Sequence, residues 1–274
     1  MAGIKNLKDK VVVITGAGSG IGRAAALAFA RKGADLVIVD NREDRLKSVE
    51  FEVMKTGSRV ISRKVDVSVR AQVEKLAKSV IKEKGHVDVL INNAGVVVAG
   101  KVEDTDYKNW EWVFGINFWG VLYGVKSFLP FMIERKSGHI VNTSSLSGLC
   151  ANPATGAYSC TKFAIAALSE SLRAELKMHH IGVSTICPGF INTNIMEDGK
   201  IGIKESAISN KTNVVNFYKK SWSPDRVAKA MVKAVRRNRS VVPVGPESWI
   251  MWYTKRLSVP LYNYFNSLGT KLFT

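Results

Sequence analysis

The chain alternates between two kinds of hydrophobic pattern. Val11-Val12-Val13-Ile14 is a continuous apolar run between Lys10 and a glycine cluster. Such a run predicts a strand buried on both faces. Arg23–Lys32 is alanine-rich and predicts a helix that Gly33 stops. Leu36–Val39 predicts a second strand, Arg42–Lys55 a helix ended by Thr56-Gly57, and Val60–Val65 a third strand. Val69–Lys84 then reads as a helix closed by Gly85, and Val87–Ile91 as a fourth strand. Further on come a long helical stretch (Tyr107–Glu134), a strand (His139–Thr143), a helix (Gly156–Met178) and a strand (Val183–Ile186). Asp225–Arg237 is a helix capped by Ser223 with Pro224 at its first position, and Ser240–Val244 a last strand. Strands of the buried type alternating with helices predict an α/β fold, a doubly wound parallel sheet of about seven strands with helices on both faces.

Two segments leave this rhythm. Asn192 to Ser221 is polar with weak periodicity, and a long connection at this point of an α/β sheet is expected to be a functional lid. Pro246 to Thr274 crowds Trp249, Trp252, Tyr253, Tyr262, Tyr264 and Phe265 together with Lys255, Arg256 and Lys271. That mixture suits a membrane interface, a subunit interface or a clamp over a substrate pocket. The expected organisation is one domain over 1–245, containing the lid 192–221, and an aromatic and basic extension over 246–274. A length of 274 residues fits one α/β domain of this kind.

Charge adds one question. The net charge is +17, and from Lys200 to Thr274 there are 14 Lys/Arg against 3 Asp/Glu. An anionic partner and a merely solvated basic surface both fit this. No nucleic-acid recognition motif accompanies the charge, so no nucleic-acid partner is expected. Cys150, Cys160 and Cys187 match neither a disulfide framework nor a zinc site, and they read as reduced thiols. No His or Cys pair has ligand spacing, so no catalytic metal is expected, and His179-His180 reads as a solvated helix end. Val11–Ile14 is too short for a signal peptide, and no stretch reaches about 18 uninterrupted apolar residues. The expected location is cytoplasmic, with peripheral membrane contact if the extension binds lipid.

The chemistry-bearing residues follow the strands. Thr15-Gly16-Ala17-Gly18-Ser19-Gly20-Ile21-Gly22 lies directly after a strand and opens a helix. Glycines there permit a tight turn and let backbone N–H groups approach a pyrophosphate at the helix N-terminus. Asp40, at the end of the second strand, can accept hydrogen bonds from adenosine ribose hydroxyls and repels a 2′-phosphate, which favours NAD over NADP. Arg42 lies close enough to soften that preference. Tyr158 and Lys162 are four residues apart on a helix and share one face. An ammonium near a tyrosine favours the phenolate, which can exchange a proton with a substrate hydroxyl or carbonyl. Ser145, after a strand and 13 residues before Tyr158, can donate to the substrate oxygen; capping a nearby backbone group is its other reading. Val96-Val97-Val98, Leu146 and Leu149 suit either an apolar pocket wall or ordinary core.

Together these motifs resemble the classical short-chain dehydrogenase/reductase family, over roughly Lys8 to Val244. The resemblance implies a Rossmann-type sheet. It also assigns Gly16, Ser19, Gly20, Ile21 and Gly22 to the cofactor loop, Asp40 to the ribose, and Asp66-Val67 to the adenine. Asn92-Asn93-Ala94-Gly95 matches the motif bracing the central sheet, with Asn93, Ala94 and Gly95 near the cofactor. Pro188-Gly189, Ile191 and Thr193 would meet the nicotinamide end. Asn117, Ser145, Tyr158 and Lys162 would form the catalytic tetrad, with Tyr158 the general acid/base, Lys162 also binding the nicotinamide ribose, and Asn117 holding a water. The implied reaction is hydride transfer between NAD, or NADP, and an alcohol or carbonyl. Members with long tails suggest a lipophilic substrate of steroid, retinoid or long-chain type. The implied assembly is a homodimer or homotetramer through the two long helices. The competing reading is a non-catalytic NAD(H)-binding regulatory or assembly protein, which would have no chemical need for both Tyr158 and Lys162.

Overall fold

The computed structural model describes residues 3–201 and 220–270. The stretch of the expected lid over 202–219, and the last four residues with Leu272 and Phe273, lie outside the described residues.

Seven strands form one sheet: β1 (Val11–Thr15), β2 (Asp35–Asp40), β3 (Val60–Lys64), β4 (Val89–Asn92), β6 (Gly138–Thr143), β7 (Ile181–Pro188) and β9 (Val241–Val244). Their order is β3-β2-β1-β4-β6-β7-β9, and every neighbouring pair is parallel. A second, two-stranded parallel sheet pairs β5 (Val98–Ala99) with β8 (Lys200–Ile201). The continuous apolar runs are explained by the two cores. Val12, Ile14, Leu36 and Ile38 enter one cluster, with α1 (Gly20–Ala30), α2 (Glu43–Met54) and α7 (Pro224–Arg237). Val11, Val13, Val37 and Val39 enter the other, with α3 (Arg70–Lys84), α5 (Gly120–Arg135) and α6 (Gly156–Glu175). Successive side chains of a strand point to opposite faces, and here both faces are buried. The chain runs outward from β1 to β3 and then returns to β4 beside β1. That reversal opens a crevice at the C-terminal ends of β1 and β4, the place where such sheets bind ligands.

Element existence follows the hydrophobic pattern closely. Ser223 caps α7 by accepting the Asp225 N–H, with Pro224 in its first turn. One feature differs from the sequence expectation. The long helix is not uniform: α4 (Tyr107–Phe114) leads into a π-helical turn over Gly115–Trp119, which leads into α5. The full stretch Tyr107–Arg135 is long and apolar enough to cross a membrane, yet it buries Val121, Val125, Phe128 and Met132 against the sheet. The extension is helical, forming α8 (Pro246–Leu257) and α9 (Val259–Thr270). Val97, Val98 and Leu146 are buried, in keeping with the core reading of these positions, while Val96 and Leu149 are half-buried.

Candidate active site

The glycine turn after β1 is built for close approach. Gly16 and Gly20 have φ of +64° and +51°, a region that disfavours any side chain. A Cβ on Gly22 would collide with the Gly16 carbonyl. Ser19 starts α1 without a side-chain cap, and no acidic residue occupies the first turn, where Ile21 lies. The leading amides of α1 are therefore left for an anionic ligand. The turn is braced from β4. Thr15 Oγ1 accepts the Asn93 and Ala94 N–H groups at 3.0 and 3.1 Å, and Asn93 Nδ2 donates to the Thr15 and Gly16 carbonyls at 3.2 Å.

Asp40 sits at the mouth of this turn. Its carboxylate accepts the Gly18 N–H at 2.9 Å and the Arg42 N–H at 3.0 Å. The Arg42 side chain is turned away: its guanidinium pairs with Asp44, both exposed. The cation that reaches the glycine turn is Arg45. It forms a bidentate pair with Asp198 at 2.6 and 2.8 Å and comes within 3.5 Å of Ser19 Oγ. The guanidinium holds the Asp198 carboxyl below its ordinary range. Arg42 is the arginine nearest Asp40 in sequence, whereas the partner of Arg45 lies 153 positions away, which no local pattern reveals.

The remaining cofactor-assigned residues line the same rim. Asp66 accepts the Ser68 N–H and hydroxyl at 2.9 and 2.6 Å, fixing the turn after β3, and Val67 is buried against Gly120. Pro188 closes β7 and Gly189 follows it. Ile191 is buried and bridges to Trp222, and Thr193 covers Gly20, with its methyl 3.1 Å from where a Cβ would stand.

The residues of the expected tetrad are carried by the end of β6, by α6 and by the π-turn. Lys162 is 3% exposed, and its ammonium donates to the Thr143 carbonyl at 3.0 Å. Its Nζ lies 5.5 Å from the centre of the Tyr158 ring. Among the described residues no carboxylate pairs with it. Cys187 is a neighbour, but burial pushes that thiol up to about 12, so it stays neutral and supplies no counter-charge. Burial without a counter-ion pulls Lys162 down to about 8. Ser144 Oγ donates to the Lys162 carbonyl at 2.7 Å and so ties the Ser145 segment to α6. Ser145 Oγ accepts the Ser147 N–H at 3.1 Å. The capping reading of this serine is thus met, and its hydroxyl proton stays available to a substrate oxygen.

Asn117 is fully buried in the π-turn. Its Nδ2 donates to the Val96 carbonyl at 2.9 Å and Thr161 Oγ1 at 3.1 Å, and its Oδ1 accepts the Val96 N–H at 2.8 Å. A Cβ on Gly95 would stand 3.3 Å from both Asn117 Oδ1 and Lys162 Nζ, so these groups meet around Gly95. π-turns are rare and recur at functional sites.

The extension reaches this region. Tyr262 Oη donates to the Ala151 carbonyl at 2.6 Å, and Lys255 Nζ donates to the Leu149 carbonyl at 3.0 Å. Leu146, Cys150 and Tyr262 form one apolar cluster with Leu149 and Met251 against it. The inner face of α8 and α9 therefore clamps the loop that begins at Ser145. Lys255 faces inward, leaving Trp249, Ile250, Tyr253, Leu257, Tyr264 and Phe265 on the outer surface.

The family model described as short chain dehydrogenase matches residues 10–201. A similar curated protein is the probable oxidoreductase EphD of Mycobacterium tuberculosis, 38% identical over 255 residues, which are 91% of this chain and 43% of EphD. The chain thus spans less than half of that relative. The putative oxidoreductase SadH of the same organism is 36% identical, with 89% of each chain covered. Among solved structures, a short-chain dehydrogenase/reductase from Burkholderia phymatum in complex with NAD superposes with a TM-score of 0.88 at 31% identity, covering 94% of this chain and 96% of that one. Motif order, sheet order and these matches agree: the chain belongs to the short-chain dehydrogenase family.

Proposed function

We propose that this protein is an NAD(P)-dependent oxidoreductase interconverting a lipophilic secondary alcohol and its ketone, or a primary alcohol and its aldehyde, with NAD preferred. The observation that carries this reading is Lys162, a buried ammonium without a carboxylate partner among the described residues, set beside Tyr158. Such a cation costs folding free energy, and an anion at Tyr158 would satisfy it.

The residues present fit a dinucleotide. The uncapped α1 N-terminus with the four glycines of its turn would hold the pyrophosphate, Asp40 the adenosine ribose, and Lys162 the nicotinamide ribose. When bound, the nicotinamide supplies the acceptor or donor of hydride. Ser145 donates its hydroxyl proton to the substrate oxygen and orients it. Tyr158 removes the hydroxyl proton during oxidation and returns it during reduction. Lys162 favours the phenolate by its charge. The side chain of Asn117 is spent on Val96 and Thr161. Any water it holds would use its main-chain carbonyl, in the turn whose hydrogen-bond spacing is π rather than α, or the second lone pair of Oδ1. Half-buried Val96, held by Asn117, and half-buried Leu149 support a lipophilic substrate. The outer aromatic face of the extension supports contact with a lipid surface or another subunit, and family membership supports a homodimer or homotetramer through α5 and α6.

A screen of secondary alcohols graded by size and hydrophobicity, read as NADH formation, tests the proposal. Turnover should rise with hydrophobicity and be lost in Tyr158→Phe while NADH still binds. Unchanged turnover in Tyr158→Phe would refute the assigned chemistry.

A further inference from the structure

We propose that Glu247, in the first turn of α8, is a positioning residue that fixes the Pro188–Thr193 loop and clips it to the segment around Trp222. The effect on cofactor rests on reading that loop as the wall of the nicotinamide end; the clip itself does not.

The geometry is specific. Glu247 Oε1 accepts the Phe190 N–H at 3.1 Å, and Oε2 accepts the Trp222 indole N–H at 3.3 Å. Phe190 precedes the stretch 202–219 and Trp222 follows it. The two segments also exchange backbone bonds: Asn192 N–H to the Trp222 carbonyl at 2.8 Å, and Trp222 N–H to the Phe190 carbonyl at 3.2 Å. Glu247 thus spans a junction that is already a short parallel bridge between Ile191 and Trp222. The Arg226 guanidinium stacks on the Trp222 ring at 4.2 Å, so the indole is held on its face as well as its edge. Glu247 forms no salt bridge among the described residues, and its place in the first turn of α8 gives its charge the favourable end of the helix dipole.

Two glycines make room for the carboxylate. A Cβ on Gly189 or on Gly245 would collide with it. Gly245 also needs its φ of +103°. A side chain at Gly189, the glycine of the Pro188-Gly189 pair, would therefore push the Glu247 carboxylate away from Phe190. The Gly189 N–H is bonded to the Val244 carbonyl at 2.9 Å. Two consecutive amides of the loop are thus fixed by the segment joining β9 to α8. A residue outside the expected catalytic domain sets the position of a loop inside it.

The test compares wild type with Glu247→Ala and Glu247→Gln by hydrogen–deuterium exchange, by NADH affinity from fluorescence, and by the KM-against-kcat split in the alcohol assay. In Glu247→Ala, exchange should rise about tenfold in peptides over 188–193 and 220–224 and stay unchanged in β1, as expected for loss of a charge-assisted bond. NADH affinity should fall by a similar factor, with KM for the cofactor rising more than kcat falls. Glu247→Gln keeps an acceptor for Phe190 and should restore most of both. Wild-type exchange in Glu247→Ala, or a rise shared equally by β1, would overturn the clip. A local rise in exchange with unchanged NADH affinity would overturn the effect on cofactor. If wild type itself binds no NADH while exchange still responds locally, the dinucleotide reading fails and the clip stands.

Discussion

Replacing Lys162 by methionine should abolish turnover and shift stability in favour of the variant, in a pH-dependent way. Lys162 is buried, and desolvation lowers its pKa from 10.5 to about 8. Between those values the unfolded chain holds more protons than the folded one, so wild-type stability rises with pH across this window. Below pH 8 the folded protein carries the full cost of the buried ammonium. At about 1.4 kcal/mol per pH unit, that cost is roughly 3 kcal/mol at pH 7 and falls below about 1 kcal/mol by pH 10. Methionine keeps most of the volume and removes the charge, but leaves the Thr143 carbonyl without its donor, a loss of about 1–3 kcal/mol at every pH. The absolute difference at one pH is therefore small. Its change with pH isolates the ammonium. The melting temperature of Lys162→Met minus that of wild type should be more positive at pH 7 than at pH 10 by about 4 °C for a chain of this size. Differential scanning calorimetry at the two pH values measures it. A difference flat in pH, or larger at pH 10, would show that the buried ammonium is not destabilised and would remove the premise of the site reading.

Three further outcomes are expected. Asp40→Ala should raise kcat/KM with NADP relative to NAD, and Asp198→Asn should do the same by releasing Arg45 beside Ser19, each by about tenfold for one charge removed; a wild type that already prefers NADP would show Asp40 misassigned. Asn117→Ala removes three hydrogen bonds in a buried turn and should cost about 2–4 kcal/mol, read as a fall in thermal midpoint; an unmoved midpoint would show that the π-turn does not depend on this side chain. Ending the chain at Gly245 should expose the Leu146–Ala151 loop to protease and, if the outer face binds lipid, abolish liposome flotation; equal flotation of both forms would remove the membrane role.

The sheet was legible because its strands are buried on both faces, which produces runs such as Val11–Ile14 that no amphipathic helix resembles. The order of the site motifs was legible for a related reason: each follows a strand, and the C-terminal ends of parallel strands share one rim. What stayed hidden depends on distance in sequence. Arg45 finds Asp198, and Glu247 finds Phe190 and Trp222, through folding alone. The helices of the extension were hidden because aromatic residues lie on both their faces. Tyr262 and Met251 pack inward while Tyr253 and Phe265 face out, so no single apolar stripe appears. The π-turn was hidden because Gly115–Trp119 reads as ordinary helix, and only its backbone bonds, such as the Gly120 N–H to the Gly115 carbonyl, distinguish it.

That turn has an angular consequence. A helix advances about 100° per residue, so one surplus residue rotates everything beyond it by that amount. Before the turn, Val113 faces the small cluster of Val98 and Ala157; after it, Val121 and Val125 face the main sheet. A single continuous rod thus serves two walls that a regular helix would meet out of phase. Deleting any one residue between Gly115 and Trp119 would restore the regular pitch, yet it would swing one half of the rod off its wall and carry Asn117 away from Val96.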